Sequence, residues 1–105
     1  MSETVALCAI DDLAPGAARR FDVSGHRIAL VRIDDTFYVL DDECSHEDYS
    51  LSEGEVWAAE CEIECPRHGS MFDLRTGKPC SLPATQPVAV YEVKLEDGRV
   101  AVVLP

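Results

Sequence analysis

Two short motifs concentrate the metal-binding chemistry of this chain: Cys44-Ser45-His46 and Cys65-Pro66-Arg67-His68, a Cys-x-His and a Cys-x-x-His separated by eighteen residues. Each supplies one thiolate and one imidazole. If each sits on its own loop and the loops face one another, two Cys and two His converge on one point. Two kinds of centre use that donor set. A single Zn²⁺ accepts two Cys and two His tetrahedrally, although structural zinc sites commonly group their ligands as a Cys pair and a His pair. A [2Fe-2S] cluster with two Cys on one iron and two His on the other uses the same four donors. The remaining histidine is His26, so a site built from histidine has almost no other choice. Five cysteines (Cys8, Cys44, Cys61, Cys65, Cys80) are an odd count, which argues against a disulfide framework and for metal ligation.

Such motifs need a scaffold. The 105 residues suffice for one compact domain and are too few for two. Apolar residues make up 47% and charged residues 28%, which is ordinary globular composition and excludes a disordered chain. Short β-prone runs occupy residues 4–10, 20–23, 26–33 and 36–40, divided by the turn formers Ser24-Gly25 and Asp34-Asp35. Residues 88–95 and 99–104 flank Glu96-Asp97-Gly98, a strong hairpin signal. Between these strand-rich ends, residues 41–87 hold four of the five Cys and two of the three His, and look like loops with a few very short strands. Residues 58–64 are ambiguous between helix and strand.

Charge narrows the partners. Nine Lys and Arg against 20 Asp and Glu give a net charge of −11, which opposes attraction to nucleic acid or anionic lipid. Residues 41–64 contain ten acids and no Lys or Arg, while the rest of the chain is nearly balanced. No apolar run approaches the roughly 18 to 20 residues of a membrane span, and Met1-Ser2-Glu3-Thr4 lacks a signal-peptide pattern, so a cytoplasmic protein is expected.

The order and spacing of several blocks resemble the Rieske family, specifically its small soluble ferredoxins. They are Phe37-Tyr38-Val39-Leu40 before Cys44-Ser45-His46, then Leu51-Ser52-Glu53-Gly54, then the run from Cys65 to Asp73, then Thr76-Gly77, and a proline-containing loop over residues 82–87 with Pro83. The resemblance implies an all-β fold, an antiparallel sandwich or barrel base with a small cluster-binding loop subdomain at about residues 42–82 of a single domain, 1–105. It implies one Rieske-type [2Fe-2S] cluster, with Cys44 and Cys65 on the buried iron and His46 and His68 on the outer iron. Two ferric ions, two sulfides and two thiolates sum to zero charge when the histidines are neutral, whereas four thiolates leave two negative charges. The mixed-ligand centre therefore accepts an electron more readily.

The departures from the family pattern also inform. Respiratory-chain members carry two extra cysteines that staple the loops; Tyr49 and Arg67 stand at those positions, which leaves the soluble ferredoxin branch. Those members also use a Ser and a Tyr hydroxyl toward cluster sulfurs; Ser70 matches the first and Phe72 replaces the second, so a low or intermediate potential is expected. With two histidines used, the chain cannot build a 2-His-1-carboxylate iron site, so it is expected to be a carrier rather than an oxygenase. The implied partners are an NAD(P)H-dependent flavoprotein reductase and a terminal oxygenase or other acceptor, docking on the acidic stretch of a monomer. An accessory role in iron-sulfur assembly and a zinc-stapled interaction module are the competing functions. His26 is expected to be solvated or capping, and Cys8, Cys61 and Cys80 to pack, as are Tyr49, Trp57 and Tyr91.

Overall fold

The computed structural model describes residues 3–43, 49–66, 69–80 and 86–105. They form nine strands: β1 (Glu3–Ala9), β2 (Ala18–Val23), β3 (His26–Ile33), β4 (Thr36–Asp41), β5 (Val56–Trp57), β6 (Glu62–Glu64), β7 (Met71–Asp73), β8 (Val90–Glu96) and β9 (Arg99–Leu104). Six of them build a curled antiparallel sheet in the order β1-β9-β8-β4-β3-β2, and β5-β6-β7 form a small second sheet. Apart from single 3-10 turns at Ile10–Asp12 and Leu51–Glu53, no helix occurs among the described residues. The all-β expectation holds.

The hairpins fall at the anticipated turns. Ser24, Asp34 and Asp97 each adopt a positive φ, at 49°, 52° and 51°, which short polar side chains tolerate best. The apolar run in β3 has a specific use. Ile28, Ala29, Leu30 and Val31 are all fully buried, because successive side chains point to opposite faces and each face meets a core. Ile28 and Leu30 join Val39, Val100, Val102 and Leu104 inside the curled sheet. Ala29 and Val31 join Leu40, Leu51, Ile63, Cys65, Phe72 and Leu74 on the other side. The strand is thus a wall shared by a base core and a second core under the loop region. Burying each Ile, Leu or Val in full stabilises by about 1.5–3 kcal/mol.

Several strand ends shift by one or two residues from expectation, and two of the shifts have clear local reasons. β1 stops at Ala9 because the Asp12 carboxylate accepts its N–H (3.0 Å) and Ile10 donates to the Gly98 carbonyl (2.9 Å). β8 starts at Val90, two residues late. The Val88 N–H donates instead to the Gly77 carbonyl (2.9 Å), and the buried Val88 side chain packs in the second core. Residues 58–64 resolve into a turn followed by β6, not a helix.

Candidate metal centre

Of the four expected ligands, Cys65 is described; Cys44, His46 and His68 lie outside the described residues, as does Pro83. What the fold shows is how the two motif-bearing segments are rooted.

The first motif leaves the sheet at Asp42–Glu43 and returns at Ser50–Leu51. Glu43 and Ser50 form an antiparallel bridge, and the Leu51 N–H donates to the Asp42 carbonyl (2.6 Å). The Asp42 side chain is fully buried beneath this root. Its carboxylate accepts hydrogen bonds from Arg27 Nε (3.1 Å) and the Ser52 N–H (2.8 Å), while Arg27 Nη2 donates to Ser50 Oγ (2.7 Å). Burial pushes the Asp42 carboxyl up, but the bonds from Ser52, Ser50 and Arg27 outweigh it and hold the group below its usual range. One buried carboxylate thereby ties both ends of the segment to β3. The neighbouring Asp41 accepts a 2.6 Å bond from the Tyr91 hydroxyl, whose pKa burial and this carboxylate push up to about 12.

The second motif begins at Cys65, immediately after β6. The Cys65 N–H donates to the Ser70 carbonyl (2.7 Å) and the Gly69 N–H returns to the Cys65 carbonyl (3.0 Å), closing a tight turn. Gly69 has φ +72°, a left-handed conformation that favours glycine. Cys65, Ser70 and Phe72 are all fully buried. Cys65 shares its core with Leu51, the residue that ends the first segment, so both roots converge on one apolar floor. Gly54 fixes their spacing: a Cβ there would fall on the Glu64 carbonyl, and next to it the Glu64 N–H donates to the Glu55 carbonyl (2.9 Å).

The donor chemistry fits a cluster. A buried thiolate requires a cation as its partner, and a metal centre held by two thiolates and two imidazoles, one pair per root, would supply it.

Other expectations divide. Cys8 is buried in the base core as anticipated. Cys80 is exposed instead of buried, because it follows Pro79 on a strand-like bridge to Phe72 with its side chain outward. Cys61 is half-buried, with φ +58°, and packs with Tyr38 against the second core, where its thiol raises the Tyr38 pKa. Tyr49 and Trp57 are exposed rather than packed, and Trp57 Nε1 donates to Glu64 Oε1 (3.0 Å). His26 is half-buried, edge-on to Tyr91 with ring centroids 5.9 Å apart. Sequence reasoning passed over Asp42, Arg27 and Ser50. Asp42 stood among ten acids, and nothing local distinguishes the one that is buried.

Known proteins agree with this architecture. The family model of the Rieske [2Fe-2S] domain matches residues 3–92. Ferredoxin CarAc of Metapseudomonas resinovorans is 42% identical over 97 residues, covering 91% of this chain and 89% of its own. The ferredoxin of carbazole 1,9a-dioxygenase from Nocardioides aromaticivorans IC177 superposes with a TM-score of 0.92 at 38% identity, covering 94% of this chain and 95% of that one. A ferredoxin solved in complex with the reduced oxygenase of carbazole 1,9a-dioxygenase matches with a TM-score of 0.87 at 41% identity, covering 94% and 91%. Two motifs rooted on one apolar floor of a curled β sheet thus coincide with relatives matched along nearly their whole length, and the chain belongs to the Rieske [2Fe-2S] family as an electron-carrying ferredoxin with one cluster.

Proposed function

We propose that this ferredoxin carries single electrons from an NAD(P)H-dependent flavoprotein reductase to a terminal oxygenase, using Cys44 and Cys65 on the inner iron and His46 and His68 on the outer iron. The observation that carries the ligand assignment is the fully buried Cys65 at the mouth of the Cys65–Ser70 turn, on the same floor as Leu51. When bound, the cluster supplies a one-electron couple whose charge is low enough to accept an electron from a flavin. The chain's own part is to exclude water from the thiolate side and to leave the histidine side facing a partner. Ser70 is assigned as a hydrogen-bond donor to the centre, Phe72 as an apolar wall at a position where a hydroxyl would raise the potential, and Pro83 as part of its cover. Residues 1–105 act as one domain with the cluster subdomain at about residues 42–82, strapped to the base by the Val88–Gly77 and Asp41–Ala89 hydrogen bonds.

The oxygenase partner is supported by the solved complex of a 41%-identical ferredoxin with its oxygenase. The docking surface is acidic: Glu43, Glu53, Glu55 and Glu60 are exposed, whereas Asp42 is buried against Arg27 and offers a partner no charge. Complementary Lys or Arg on the partners accelerates encounter more than it adds affinity. The monomer works in the cytoplasm, where thiols such as Cys8, Cys61 and Cys80 stay reduced.

Anaerobically purified protein should show the visible absorption of a [2Fe-2S] centre and, once reduced, a mixed-ligand EPR signal; Cys65→Ala and His68→Ala should abolish both. A colourless zinc protein would overturn the ligand model. Transfer rates to the oxygenase should fall severalfold as salt shortens the Debye length below about 10 Å. A rate indifferent to salt would remove the acidic docking surface.

A further inference from the structure

Trp57 is a large aromatic residue left 41% exposed, yet its indole N–H is committed. It stands on β5 opposite Glu62, and Nε1 reaches diagonally to Glu64 Oε1 at 3.0 Å. The second oxygen of the same carboxylate, Oε2, lies 3.3 Å from where a Cβ on Gly69 would be. Glu64 is half-buried, its backbone is tied to Glu55, and it directly precedes Cys65. Its side chain therefore lies between Trp57 and Gly69, with one oxygen held by the indole and the other against the glycine that follows His68 in the sequence. Unlike the exposed carboxylates of Glu53, Glu55 and Glu60, this charge has a fixed place beside the second ligand loop.

A fixed negative charge next to a centre that gains negative charge on reduction opposes that reduction. We infer that Glu64, positioned by Trp57, lowers the reduction potential of the cluster and is the potential-setting carboxylate of this ferredoxin. The inference rests on the ligand reading above, in which the Cys65 loop holds the centre. Trp57 acts through Glu64 and is a positioning residue. The glycine at 69 serves the same end, since a side chain there would press on the carboxylate.

The test is a redox titration of the cluster-loaded protein, followed by visible absorption and EPR. Glu64→Gln keeps the shape and the acceptor for the indole but removes the charge. At the wild-type midpoint potential it should shift the oxidised-to-reduced ratio about threefold toward reduced, or about 30 mV at 59 mV per tenfold for one electron. Trp57→Phe keeps the ring and frees the carboxylate, and should move the ratio in the same direction by less. The double variant should move it no further than Glu64→Gln alone. Glu60→Gln, an equal charge change at an exposed site, should leave the midpoint in place. A Glu64→Gln midpoint equal to that of Glu60→Gln overturns the inference while leaving the ligand reading intact. Failure of both Glu64→Gln and Trp57→Phe to hold a cluster overturns it too, by assigning the pair to loop architecture. A wild-type protein without the cluster overturns both readings.

Discussion

The base and the loop region share one wall, yet they are held by different physics. In the base, strands of six to eight residues pair over most of their length, and their alternation alone sorts Ile28, Leu30, Val39 and Val102 into one core. In the loop region the strands are two or three residues long, too short to fix a register by pairing. Single contacts do it instead: a buried carboxylate at Asp42, a glycine against a backbone carbonyl at Gly54, and the Cys65–Ser70 turn. Hydrophobic area is forgiving of a missing atom, whereas a single polar tie has no understudy. The division lets one face carry a demanding site without compromising the frame.

The largest effects should expose that division. Ile28→Ala and Leu51→Ala each remove a fully buried aliphatic side chain and should each cost about 2–5 kcal/mol in urea unfolding. The base variant should keep its cluster and its potential, while Leu51→Ala, which opens the floor beside Cys65, should lose the visible chromophore within the time of purification. Equal loss of chromophore in both would mean that the two cores behave as one.

Next in size is the buried tie. Asp42→Ala should destabilise by about 3 kcal/mol, because it leaves Arg27 and the Ser52 N–H without their acceptor. The sign with pH follows from the depressed carboxyl. Its contribution is fully present above the unfolded value near 3.8 and is lost as pH falls through the lower folded value. The wild-type urea midpoint should therefore fall on acidification below about pH 4 more steeply than that of Asp42→Asn. Parallel pH profiles would show that the carboxylate is not what ties the loop.

Legibility in the sequence follows the same line. The strands and hairpins of the base were readable because each residue's role depends on its neighbours in the chain: a β-prone apolar run over residues 26–33 between the turn formers Ser24-Gly25 and Asp34-Asp35, and Asp97-Gly98 at the last turn. The two Cys/His motifs stand out because metal chemistry restricts residue type and spacing so sharply, and of their four donors the described residues include Cys65. What holds the site was not, because Arg27, Asp42 and Ser50 meet only after folding, and Gly54 announces a turn without naming the Glu64 carbonyl it must admit. The same holds for Trp57. Its exposure depends on which face of a two-residue strand meets the core, and composition says nothing of that.

The smallest expected effect sharpens the comparison at a single backbone angle. In the base, left-handed conformations fall to Ser24, Asp34 and Asp97 in hairpin turns, where polar residues adopt them at little cost. In the loop region Cys61 adopts one at φ +58°, and its carbonyl still accepts the Leu74 N–H (3.0 Å) just after β7. A thiol gains nothing locally from that conformation, so the residue carries about 1 kcal/mol of backbone strain. Cys61→Gly should relieve the strain but add unfolded-chain entropy, and come out near neutral. Cys61→Ala should keep the strain and be destabilised by about 1 kcal/mol relative to Gly. Both should retain the full chromophore and an unchanged EPR signal, since Cys61 is not among the four proposed ligands. A bleached Cys61→Ala protein would mean that the second motif starts four residues earlier than assigned, and equal stability of the two variants would mean that the turn at residues 58–61 relaxes out of the left-handed region at no cost.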